Sequence, residues 1–395
     1  MLMLYRWGDF GGVNAMRPIW LVTLVAVACG SSHARQPTAD ASSDASAADS
    51  GSDLVIGTVD GAVDMGALDV GEPDGEAEAG RGDASPDLLW PDCAAATGRR
   101  LAPLPEPISE TVRIAVDETA VYIGAFRHSS ATSPVLWALD KMTGALRELW
   151  TAAEIDGVGA LALDGAQIYF MTGTTLRRMA RTGGVAETLV TGDSGANAIA
   201  LDATHVYWAA SGVLPDWRGH VSRIRRDAPG MEERLWDATR VTGIVFDSTT
   251  LYTMTSGGGG SVLALPLAGG PARTLPALVG AVGLAASADA LFAVNNSTLQ
   301  RIDKATGETT TLFTGNVGGT SIAVHVGFVY WGYGGYWPGY PHPGAGKVLK
   351  TSLAGGAVTE IAICQGKPAA VAVDDTNVYW VNWVTGEVML AALSR

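Results

Sequence analysis

Cysteine is scarce in this chain: there are three in 395 residues, at positions 29, 93 and 364. A chain of this length is not a mini-protein that depends on disulfide staples. Charge is scarce as well, at 17% of residues, and 26 lysines and arginines stand against 40 acidic side chains, a net −14. Phosphate backbones need clustered Lys and Arg, so nucleic acid is not an expected partner. No segment shows a convincing helical period. The apolar run from Ile19 to Ala28 covers about ten residues, too short for a spanning helix. The six histidines (33, 128, 205, 220, 325 and 342) show no metal-ligand spacing, and neither a metal nor a cofactor is expected.

The charge that is present is unevenly placed. Residues 30–92 hold 14 acidic side chains against Arg35 and Arg81, whereas residues 93–395 are close to neutral at −3. The acidic stretch is mostly Ala, Asp, Ser, Gly and Glu and has no aromatic residue before Trp90. Such a stretch cannot bury enough apolar surface to offset its ordering entropy, and like-charge repulsion keeps it extended. It reads as a disordered tether over 29–92.

Ahead of it, Met16-Arg17 and the apolar run end in small residues, the layout of a secretory signal peptide over 1–28, with Met16 as an alternative start. Two readings of the cleavage site stay open. Ala26-Val27-Ala28 satisfies the rule for ordinary secretion, while Val27-Ala28-Cys29-Gly30 resembles a bacterial lipobox. That resemblance implies lipidation of Cys29, a membrane anchor and, with Gly30 after the cysteine, outer-membrane or cell-surface sorting. Secreted soluble or periplasmic protein is the alternative.

The body, 93–395, is repetitive. A small apolar strand, a turn usually opened by Asp, and an apolar–aromatic pair recur from Ile114 to Tyr122, Leu161 to Tyr169 and Ile199 to Tyr207. The aromatic position returns at 122, 169, 207, 252, 292, 330 and 379, a mean step of about 43 residues. Each unit continues into two alternating strands joined by a glycine turn, as at Gly183-Gly184 and Gly355-Gly356. Seven units of four strands, here lettered a to d from the axis outward, predict an all-β, seven-bladed β-propeller. The last unit lacks strand d. Gly98 to Leu104, just before the first unit, is expected to supply it and close the ring, which removes an open sheet edge. Cys93 precedes that strand and Cys364 ends the outer strand of the sixth unit beside it; a disulfide between them and two buried free thiols are both open. The Val-Tyr-Trp phrases at 206–208, 329–331 and 378–380 resemble YWTD-type propeller repeats of low-density-lipoprotein-receptor ectodomains. The resemblance implies the architecture alone, since the Thr-Asp half is missing and that family has six units.

Propeller strands are occupied with packing, so candidate functional residues are sought in loops. The b–c and d–a loops share one face. Blade one contributes His128; blade three contributes Asp216, Trp217, Arg218 and His220; blade six contributes Tyr333, Tyr336, Trp337, Tyr340 and His342. Clustered aromatics on a Gly/Pro-rich backbone suit a binding surface, and suit equally a lid folded over the channel. The recurrent Asp (117, 164, 202, 247, 374) is read as a turn residue bonding its own backbone. No catalytic constellation emerges. The expectation is a monomeric, non-catalytic, membrane-anchored propeller that binds a protein, peptide or glycan. The alternative is a hydrolase or lyase using Asp216, Arg218, His220 and His342 at the channel mouth.

Overall fold

The computed structural model describes residues 97–393 apart from short loop stretches (110–111, 128–132, 154–156, 193–195, 213–217, 229, 256–259, 277, 279, 282, 296, 316–321, 335, 338–339 and 342–345), together with two strands at Leu21–Val22 and Gly57–Asp60. Among the described residues there is no helix. The chain forms seven antiparallel four-stranded blades. Blade one runs through Arg113–Val116, Ala120–Phe126, Pro134–Asp140 and Leu146–Thr151. Blades two to six follow the same a–d order, with strand a at Val158–Asp164, Ala196–Leu201, Val241–Phe246, Gly283–Ala286 and Ile322–His325. Blade seven comprises Pro368–Val373, Asn377–Asn382, Glu387–Ala392 and, as its outer strand, Arg99–Pro103. Gly57–Asp60 pairs with the inner edge of blade five, Gly57 opposite Leu284 and Thr58 opposite Gly283.

Alternation along each strand sends side chains to both faces of the blade, and both faces are covered by neighbouring blades. Trp137, Trp208, Trp331 and Trp380 are almost wholly buried there, as are Tyr169, Tyr207 and Tyr379. Burial of each such ring contributes on the order of 2–3 kcal/mol. Strand a is nearly all small or apolar, because adjacent blades converge at the axis: Ala160, Ala162, Ala198, Ala200, Ala285 and Ala372 are fully or almost fully buried. The paired glycines of the c–d turns do adopt positive φ, 93° and 119° at Gly183-Gly184 and 88° and 114° at Gly355-Gly356, a region that side chains avoid.

The N-terminal strand closes the ring as expected. Arg99 pairs with Leu390, Arg100 with Met389 and Pro103 with Glu387, and the Leu104 amide donates to the Gly386 carbonyl at 2.7 Å. A buried amide joins three parts of the closure. The Gln365 side chain accepts from Trp380 Nε1 and Asn382 Nδ2, both at 3.0 Å, and donates to the Thr97 carbonyl at 2.8 Å. Cys364, beside it, is disulfide-bonded. Cys93, Cys29, the signal peptide and the tether, except for the two short strands, lie outside the described residues.

Candidate functional site

The two faces of the disc are built differently. The lower face carries the a–b and c–d turns, which are short and nearly identical from blade to blade. In blades one, three, four and seven, one oxygen of the turn Asp accepts the amides two and three residues on, as Asp117 does from Thr119 at 2.8 Å and Ala120 at 2.7 Å. The other oxygen accepts the strand-b tyrosine hydroxyl: Tyr122 to Asp117 at 2.9 Å, Tyr207 to Asp202 at 2.7 Å, Tyr252 to Asp247 at 3.1 Å and Tyr379 to Asp374 at 3.0 Å. The turn role expected of Asp117, Asp202, Asp247 and Asp374 is therefore present.

A second role was not legible. The residue directly after strand c reaches back to the turn Asp of the preceding blade. Lys141 donates to Asp374 at 2.6 Å, Arg181 to Asp117 at 2.7 Å and Lys304 to Asp247 at 2.8 Å; Arg226 pairs with Asp164. Each cation also lies over the tyrosine of that blade, 4.6 Å from the Tyr379 ring centre for Lys141 and 4.9 Å from Tyr252 for Lys304. Burial pushes the Asp374 carboxyl up, but Lys141 and the amide and hydroxyl of Thr376 outweigh it and hold the group at about 2. Burial, reinforced by Asp202, pushes the Tyr207 hydroxyl up to about 12. The same position is Leu353 and Leu393 in blades six and seven, where the preceding turns carry Ser287 and His325 instead of Asp. Blade four has Leu267 although blade three keeps Asp202; there Phe246 packs on the Tyr207 ring with centres 5.7 Å apart, taking the cation's place. These turns are structural latches.

The upper face carries the b–c and d–a loops and varies from blade to blade. Strand b of blade six leads into a separate two-stranded hairpin, Tyr336–Trp337 against Tyr340–Pro341, with Trp337 opposite Tyr340. Tyr333, at the end of strand b, is half-buried and packs on the core. His342, Trp217, Asp216 and His128 lie outside the described residues. Arg218 opens strand c of blade three and is exposed.

His220, two residues on, is 6% exposed. Its Nδ1 lies 2.6 Å from Arg234 Nη2, and its Nε2 faces Glu232 at 3.9 Å, a carboxylate that also accepts the Ser222 hydroxyl at 2.7 Å. The imidazole thus belongs to a layer beneath the surface. Arg113, at the start of strand a in blade one, is fully buried and donates through Nε to the Gly159 carbonyl of blade two at 2.6 Å. Among the described residues, no group of three or more His, Cys, Asp or Glu could hold a metal ion.

Comparison with known proteins places the fold. No protein-family model matches the chain, and no curated protein matches it. Among solved structures, a chain of the mitotic checkpoint complex is similar at TM-score 0.57 and 12% identity, over 82% of this chain and 100% of that one. The extracellular domain of a one-component system from B. thetaiotaomicron is similar at TM-score 0.57 and 11% identity, over 76% of this chain; the match spans 40% of that chain's length. BamB from Moraxella catarrhalis is similar at TM-score 0.47 and 18% identity, over 71% of this chain and 84% of that one. For the two matches at TM-score 0.57, identities of 11% and 12% make the fold alone the shared property.

Proposed function

We propose that this chain is a non-catalytic, extracytoplasmic binding or scaffold propeller, held at a membrane by a lipidated Cys29 and meeting a protein, peptide or glycan through its upper face. The observation that carries the proposal is the blade-six hairpin. It places in the b–c connection a strand pair of its own whose four residues include three aromatics, and Tyr333, which precedes it, packs on the core. Aromatic side chains bury large area at small entropy cost, which is why they anchor interfaces. The hydrolase or lyase alternative gains nothing from His220, which is buried and held by Arg234 rather than presented to a substrate.

The test is a pull-down from the cell-envelope fraction with the full chain and with a variant whose residues 333–342 are replaced by a Gly-Ser linker. Loss of the captured partner is expected; unchanged partners refute the role assigned to the hairpin. Anchoring is tested separately. Metabolic labelling with a palmitate analogue should tag the wild type, and a Cys29→Ala variant that stays equally membrane-bound rejects the anchor.

We also propose that the partner of Cys364 is Cys93. Thr97 accepts the Ile363 amide at 3.1 Å through Oγ1 and the Gln365 side chain through its carbonyl, so the chain four residues after Cys93 lies beside Cys364. Non-reducing peptide mapping should recover the 93–364 cross-link; a Cys29–Cys364 peptide contradicts it.

A further inference from the structure

The latches do not close the lower face everywhere. Between blades one and two lies a cleft of about 820 Å³, bordered by Tyr122, Ala138, Arg147 and Arg181 and by the turns at Asp117–Thr119 and Asp140–Thr143. Its origin is visible in the repeat. Directly across from the strand-b aromatic, strand c carries Arg178, Arg223, Arg301 and Lys350 in blades two, three, five and six. Two of those cations pair with a strand-d carboxylate, Arg178 with Glu187 at 2.6 Å and Arg223 with Glu233 at 2.8 Å. In blades one and four the strand-c residue is instead an alanine opposite a strand-d arginine, Ala138 with Arg147 and Ala264 with Arg273. A long side chain is therefore missing beside Tyr122, and the strand-d charge is reversed.

The groups around the space call for acceptors. Arg181 uses Nη1 on Asp117, while its Nε and Nη2 are buried and have no hydrogen-bond partner among the described residues. Arg147 is exposed and directs Nη1 to the Thr182 carbonyl at 2.6 Å. Those acceptors should be uncharged, because Asp117, Glu118 and Asp140 already outnumber the two guanidinium groups. Hydroxyl groups meet both demands, accepting from arginine and donating to carboxylate, and ether oxygens add further acceptors. The volume falls in the range that holds a ligand of two or three sugar units.

We propose that this cleft is a binding site for a neutral oligosaccharide. It lies on the face opposite the aromatic hairpin and is independent of it. Isothermal titration calorimetry of the full chain against maltotriose, cellotriose and chitotriose tests it, with trigalacturonate as the charged control. At least one neutral trisaccharide should bind. Ala138→Leu, which fills the space with the residue type that blade seven carries as Leu390, should weaken that binding at least tenfold without lowering the melting temperature. Arg147→Ala should weaken it too. Replacement of 333–342 should leave it unchanged, so failure of the hairpin reading and failure of this one are distinguishable. The proposal is overturned if no neutral trisaccharide binds at 10-millimolar order, if trigalacturonate binds more tightly, or if Ala138→Leu binds as well as wild type.

Discussion

Lys141, the residue after the third strand of blade one, donates at 2.6 Å to Asp374 in the first turn of blade seven. The two are 233 positions apart in sequence and meet across the seam where the ring closes. Lys141 also donates to the Asp117 carbonyl of its own blade, so one ammonium ties both sides of the seam. Its side chain is 10% exposed and that of Asp374 21%, which places the pair between a screened surface bridge and a buried one.

Lys141→Met should therefore destabilise the chain by about 1–3 kcal/mol, because it leaves a half-buried carboxylate with only its turn donors and the Tyr379 hydroxyl, and no cation. Asp374 titrates at about 2 in the folded chain, below its ordinary value of 3.8. A depressed carboxyl contributes stability above the unfolded value and loses it as pH falls through the folded one. Acid titration followed by tryptophan fluorescence should thus show a loss of stability from about pH 4 toward about pH 2 that shrinks in Lys141→Met. An identical acid dependence in both proteins refutes the latch.

Gly98 should tolerate no side chain. It sits at φ +100°, and a Cβ there would stand 2.7 Å from the Trp380 ring. Gly98→Ala forces either the closing strand or the indole to move, at a cost of about 1–3 kcal/mol. A fall in melting temperature of several degrees is expected; no change would mean that the strand does not lie against Trp380.

The indole of Trp331 leads to a prediction about a loop. Trp331 Nε1 is buried and has no hydrogen-bond partner among the described residues, whereas Trp380 Nε1 donates to Gln365. Gln365 lies six positions before Val371, the strand-a residue paired with Trp380. Six positions before Ile322, which pairs with Trp331, is Asn316; six before Ile199, which pairs with Trp208, is Asp193. The four blades without this tryptophan have Ile108, Ile155, Ala238 and Leu278 there. Asn316 is accordingly predicted to accept from Trp331. Asn316→Leu should cost about 1–3 kcal/mol, and less in a Trp331→Phe background. Equal costs in the two backgrounds contradict the pairing.

How much of this was legible follows from what repeats. The strand pattern and the aromatic at 122, 169, 207, 252, 292, 330 and 379 repeat because every blade meets the same packing problem. The missing outer strand of the last unit pointed to Arg99–Pro103 for the same reason. The latch was hidden although its residues were in view, since Lys141 and Asp374 belong to different units and the signal is a correlation between neighbouring repeats. The same holds for Trp380 and Gln365. The upper face was legible only as composition. Its loops differ in length and content, so no second copy indicates that 336–341 forms a hairpin or that His220 turns inward toward Arg234.

Recognition at the blade-six hairpin on the upper face is tested most directly by hydrogen–deuterium exchange of the full chain, with and without the partner recovered by pull-down. Slowed exchange across 333–342 is expected, with the a–b and c–d turns unchanged. Protection confined to those lower-face turns, with none across 333–342, would contradict it.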